Sequence, residues 1–179
     1  ALAESPSRAF SVSIKGSNAR QRLAASPVVG GGKLFAMDTD GTVHAFDAST
    51  GARVWDTSVR AEKQNAGSTF GGGASYDDGK VYVTNGVGEI ASLDAGSGEI
   101  KWRVKPAGPL RGSPTVAFGQ VMVMSQDNQL FALNEADGAV LWSESASVGQ
   151  TNVFGVASPA AGQGTIVAGF SSGELVAYR

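Results

Sequence analysis

Apolar and polar residues alternate along this chain in short bursts of four to six, separated by glycine-rich breaks. The stretch Gly88 to Trp102, GEIASLDAGSGEIKW, shows the unit most clearly. Ile90, Ser92 and Asp94 alternate with Ala91 and Leu93, a period of two that predicts a half-buried strand. Ala95-Gly96-Ser97-Gly98 then breaks the run with small residues that tolerate a turn. A second strand follows and ends in Trp102. The same arrangement recurs at residues 41 to 55, GTVHAFDASTGARVW, and at 128 to 142, NQLFALNEADGAVLW. A fourth copy, GELVAYR, begins at Gly173. No stretch carries an extended 3.6-residue periodicity, so the predicted class is all-β.

The copies keep register. Trp55 and Trp102 are 47 residues apart, and Trp102 and Trp142 are 40 apart. Asp47, Asp94 and Asn134 keep the same two intervals, as do Gly51, Gly98 and Gly138. A strand-and-turn repeat of about 40 to 45 residues is the signature of propeller blades. All three Trp therefore read as architectural, each packing between neighbouring blades. The expected fold is a β-propeller of four-stranded antiparallel blades. Residues 1–179 form one partial domain, with blade one at about 24–58, blade two at about 70–104 and blade three at about 111–144. An incomplete blade four occupies about 153–179. Ala9 to Lys15, AFSVSIK, alternates Phe10, Val12 and Ile14 and reads as the outer strand of a preceding or shared blade, with Phe10 near the Trp position. Pro27, Pro114 and Pro159 open three of the inner strands, where a missing N–H is tolerated on a free edge. The open ring has three possible closures: a longer parent chain, a second copy whose Phe10 strand completes blade four, or that strand closing on its own chain. A fragment of a longer protein is the expectation.

Composition adds bounds. The 179 residues include 25 Gly, which suits many tight turns, and 42% hydrophobic residues, enough for a core. With 14 basic against 16 acidic residues, there is no electrostatic footprint for nucleic acid. No apolar run reaches the roughly 18 residues of a membrane helix. Cysteine is absent, which excludes disulfides, thiolate metal sites and a Cys nucleophile within these residues.

Signals for chemistry are weak. Gly30-Gly31-Gly32-Lys33 lacks the Ser or Thr and the helix that a phosphate loop needs, and Gly79-Lys80 repeats it as a turn. Asp38-Thr39-Asp40-Gly41 opens like a calcium loop, but Ser49 stands where a bidentate carboxylate is required. His44 is the sole histidine and reads as a structural residue. Gly16 to Leu23, with Arg20 and Arg22, reads as a solvated linker. No catalytic, cofactor-binding or metal-ligating residue is assigned. The most individual stretch is Lys105 to Gly112, KPAGPLRG, which connects blades two and three. Leu110 beside Arg111, stiffened by Pro106 and Pro109, has the composition of a protein-binding hot spot. It equally suits a stiff connector whose Leu caps the core.

The unit SPxV…GxVxAxDxxxGxxxW resembles the PQQ-type propeller repeat over nearly the whole chain. That repeat is shared by quinoprotein dehydrogenases and by the BamB family of outer-membrane assembly lipoproteins. PLRGSPTVAFGQVMV (109–123), DNQLFALN (127–134) and SSGELVAYR (171–179) look more like the BamB family, in its alphaproteobacterial form. The resemblance implies an eight-bladed ring, of which this chain is about half, and a scaffold without catalytic activity. It implies binding to the periplasmic POTRA domains of BamA within the BAM complex, with Leu110 and Arg111 as the matching contact pair. It also implies a place on the periplasmic face of the outer membrane, held by a lipid anchor that these residues do not include. An acidic pair contributes to the contact in well-known members; Thr151 to Ser158, the matching stretch, carries no acid. The alternative is a quinone-dependent dehydrogenase, which would need clustered Glu, Asn and Asp around calcium and usually adjacent Cys. A generic ligand-binding propeller module is a further alternative.

Overall fold

A computed structural model describes residues 7–16, 26–60, 72–106, 108–110, 112–146 and 158–179. The described residues form fifteen strands in four separate sheets. Sheet one holds β1 (Val28–Gly30), β2 (Lys33–Met37), β3 (Thr42–Asp47) and β4 (Arg53–Ser58). Sheet two holds β5 (Ala74–Asp77), β6 (Lys80–Thr84), β7 (Ile90–Asp94) and β8 (Ile100–Val104). Sheet three holds β9 (Thr115–Ala117), β10 (Gln120–Met124), β11 (Gln129–Asn134) and β12 (Val140–Ser145). Sheet four holds β13 (Ala160–Gly162), β14 (Thr165–Gly169) and β15 (Leu175–Tyr178). Every sheet is an antiparallel meander in chain order, so each is a propeller blade.

The blades stack face to face, and the period of two explains how. Successive side chains of one strand point to opposite faces. In β10, Val121 and Val123 enter the core shared with sheet two, while Met122 and Met124 enter the core shared with sheet four. In β11, Phe131 and Leu133 face one way and Leu130 and Ala132 the other. The central strands of sheets two and three, β6, β7, β10 and β11, are therefore buried on both faces. This corrects the half-buried reading of Ile90 to Asp94: Ile90 packs toward sheet three, Ala91 and Leu93 pack toward sheet one, and Ser92 is enclosed too. The alternation there sorts residues between two cores rather than between core and water.

Ser7 to Gly16 is the second departure. Phe10, Val12 and Ile14 are half-buried and their neighbours exposed, as an edge strand would have them. Among the described residues no strand pairs with this segment, so it is not part of a ladder. Its polar ties run to the turn between β2 and β3: Thr39 Oγ1 donates to the Gly16 carbonyl at 3.2 Å, and Lys15 pairs with Asp40. Pro27, Pro114 and Pro159 precede β1, β9 and β13, the innermost strand of each sheet, whose outer neighbours take all the ladder bonds.

A candidate partner-binding loop on a repeated scaffold

The repeat positions form one joint. Gly51, Gly98 and Gly138 have φ of 75°, 75° and 74°, which a side chain disfavours. A Cβ on Gly98 would lie 2.6 Å from the Trp55 ring, one on Gly138 2.6 Å from the Trp102 ring, and one on Gly51 2.8 Å from the Phe10 ring. Each aromatic thus packs closely against the bare backbone of a glycine turn. The indole N–H of Trp55 donates to the Ala95 carbonyl at 3.1 Å, and that of Trp102 to the Glu135 carbonyl at 3.0 Å. Trp142 differs. Its N–H donates within its own sheet, to Gln120 Oε1 at 3.1 Å.

Asp47, Asp94 and Asn134 shape the turns that carry these glycines. Asp47 Oδ1 accepts from the Ser49 and Thr50 amides at 3.0 and 2.8 Å and from both hydroxyls. Those bonds, the Ser49 hydroxyl foremost, hold its carboxyl at about 2. Asp94 accepts from the Gly96 and Ser97 amides and is also lowered, with the Ser97 bonds leading. Asn134 Oδ1 accepts from the Ala136 amide at 2.8 Å, so an amide serves the same turn.

His44 joins three pieces of sheet one. Its Nδ1 lies 2.6 Å from Asp56 Oδ1 and its Nε2 3.0 Å from Asp38 Oδ2, with the ring buried. Burial pushes the Asp56 carboxyl up, but hydrogen bonds from His44 and Arg53 outweigh it and leave the net shift downward. Asp38 Oδ1 accepts from the Asp40 and Thr42 amides, which makes 38–41 a hairpin turn. The glycines before Lys33 and Lys80 are likewise strand-to-strand turns. Among the described residues no cluster of His, Cys, Asp or Glu is arranged to hold a metal ion.

Sheets two and three share a polar clamp that sequence reasoning missed. Lys80 Nζ lies 3.0 Å from Glu135 Oε1, and the Tyr82 hydroxyl donates to the same oxygen at 2.9 Å. The Lys80 bond leads in holding the Glu135 carboxyl down, against partial burial. Burial, then Glu135, pushes the Tyr82 hydroxyl up. A signal existed: Glu135 stands where the other copies carry Ala48 and Ala95.

The loop between these two sheets is pinned at several points. The Leu110 amide donates to the Asn85 carbonyl at 3.3 Å, and Leu110 forms an isolated bridge with Ser125. The Gln126 amide donates to the Pro109 carbonyl at 2.9 Å. The Thr84 hydroxyl donates to the Gly112 carbonyl at 2.7 Å. Leu110 itself is 0% exposed and packs with Tyr82, Ile90, Val121 and Leu133. Of the two uses that its composition allowed, its position is that of the core cap. The loop crosses the mouth of the gap between sheets two and three, and burying Leu110 there closes the core. Arg111, its companion, lies outside the described residues, as do Arg20, Arg22 and most of Thr151 to Ser158.

Comparison with known proteins follows the same repeat. The model of the family described as outer membrane protein assembly factor BamB matches residues 5–70 and 39–179, so every blade is included. This chain belongs to the BamB family. BamB of Yersinia pestis is 28% identical over 177 residues, which cover 97% of this chain and 45% of that protein. The chain spans about half the length of the curated BamB relatives it matches. The crystal structure of BamB from Moraxella catarrhalis superposes with a TM-score of 0.75 at 23% identity, covering 92% of this chain and 48% of that one. The quinohemoprotein alcohol dehydrogenase of Comamonas testosteroni shares the fold at a TM-score of 0.59 and 25% identity, over 70% of this chain and 21% of its own.

Proposed function

We propose that this chain is the working part of a non-enzymatic scaffold in outer-membrane β-barrel protein assembly. The carrying observation is the BamB family match across all four blades. In this reading the protein sits on the periplasmic face of the outer membrane and binds the POTRA region of BamA alongside other BAM subunits. The contact is centred on Lys105 to Gly112, whose backbone is tied to both flanking sheets. Arg111 supplies the charged contact, and Leu110 fixes the loop from beneath. The remainder of the ring comes from outside these residues, as a second fragment or a second copy.

Binding of purified BamA POTRA domains, measured by calorimetry, tests this. Arg111→Ala should weaken binding by about 2 kcal/mol without a change in melting temperature. Wild-type affinity in that variant would sink the site. A second reading, a quinone-dependent dehydrogenase fragment, draws on the likeness to the Comamonas enzyme. Cofactor absorbance together with calcium-dependent stability would favour it over the scaffold.

A further inference from the structure

We propose that the outer rim of sheets one and two, beside the start of the Lys105 to Gly112 loop, is a basic docking surface that steers an acidic protein surface onto that loop; this rests on the partner-binding reading above. Three side chains carry it: Arg103 and Lys105 of sheet two and Arg60 of sheet one. Arg103 lies in β8, the outer strand of its sheet, opposite Ala91. Ala91 belongs to the core between sheets one and two, so Arg103 faces that gap, where it is half-buried. A half-buried Arg rests its apolar stem on the core and keeps its charge in water. Lys105 follows two residues later at the first position of the loop, and Arg60 stands where the chain leaves sheet one at the same end. Both are exposed. None of the three side chains forms a hydrogen bond or ion pair with a described residue.

The charge is particular to this place. At the Arg103 position sheets one and three carry Asp56 and Ser143, and at the Lys105 position they carry Ser58 and Ser145. The acids at the same end of sheets one and two are already engaged. Asp38 and Asp56 hold His44, Asp40 pairs with Lys15, and Glu89 accepts from Asn85 Nδ2 at 3.0 Å. The three bases are therefore left for a charge from outside. Unpaired charges at the rim of a contact act mainly by drawing in a surface of opposite sign, which raises the association rate. Three charges fall short of the roughly four to eight that hold a protein on anionic lipid, and they adjoin the loop proposed for partner contact. An acidic protein surface is the occupant that fits.

The test is the association rate of purified BamA POTRA domains, followed by stopped flow at low, physiological and about 1 M salt. The triple variant Arg60→Gln, Arg103→Gln, Lys105→Gln keeps polar side chains and removes the charge. It should associate about tenfold more slowly than wild type at low salt, dissociate at the wild-type rate, and match wild type at about 1 M salt. Lys33→Gln, at the opposite end of sheet one, should leave both rates unchanged. Unchanged association in the triple variant, or an equal loss in Lys33→Gln, overturns the proposal. If the triple variant fails to fold, Arg60→Gln with Lys105→Gln supplies the comparison, at about fivefold. If the wild-type protein does not bind POTRA domains, the partner reading fails, and a hexaglutamate peptide then judges the surface by itself. Salt-sensitive shifts of the Arg103 and Lys105 amide signals on titration uphold it; their absence overturns it. Phosphatidylglycerol vesicles that bind wild type at physiological salt and not the triple variant assign the charges to lipid and also overturn it.

Discussion

Trp102 has its ring against Gly138 and its N–H satisfied by the Glu135 carbonyl. Trp102→Ala should cost about 3–5 kcal/mol, read as a drop in the urea midpoint. Trp102→Phe, which keeps a ring but not the donor, should cost less. Asp47 makes a prediction of a different kind. Its folded carboxyl titrates at about 2, against 3.8 for the free group. The turn's contribution is therefore complete above pH 3.8 and is lost as pH falls through about 2. Asn134 already fills this role in sheet three, so Asp47→Asn should keep the turn and abolish that acid-range loss. Melting temperatures measured between pH 2 and 5 would check it; parallel curves for the two proteins would contradict it. The positions of Trp, Gly and Asp were legible because three copies repeat them at matched intervals. The partners of His44 were not, since Asp38 and Asp56 come near only when β2, β3 and β4 align.

Among elements, the Lys105 to Gly112 loop lets stability be tested apart from the binding proposed for it. Leu110→Ala empties a fully enclosed site and should cost about 2–5 kcal/mol of stability, with binding reduced because the loop slackens. Arg111→Ala should spare stability. A Leu110→Ala protein as stable as wild type would show that the loop is not anchored where the structure places it. Composition alone left Leu110 as either hot spot or core cap, because both uses select the same apolar side chain. Its burial decides for the cap, and that follows from the loop's path over a gap between sheets. The outer strand expected at Ala9 to Lys15 shows the complementary limit. Its alternation was visible, and Phe10 does take the Trp seat against Gly51, but a ladder needs a neighbour that periodicity cannot supply.

At the scale of the whole molecule, the three apolar cores each lie between consecutive sheets. Stability should then propagate from neighbour to neighbour. Phe170→Ala weakens only the core between sheets three and four, at about 3–5 kcal/mol. Hydrogen exchange should rise in β13 to β15 first and leave β1 to β8 near wild-type rates. A uniform rise across all four sheets would argue for one indivisible unit. The amino-acid sequence by itself determined the all-β class, the repeat, the strand order within each sheet and the positions that recur from copy to copy. It could do so because strand period and turn chemistry are local properties, multiplied by repetition. Only the tertiary structure decided which face of each strand meets which neighbour, that Leu110 is enclosed, and that Glu135 answers Lys80 and Tyr82. Those facts depend on residues dozens of positions apart being brought within hydrogen-bonding or van der Waals distance, and no local pattern encodes such a distance.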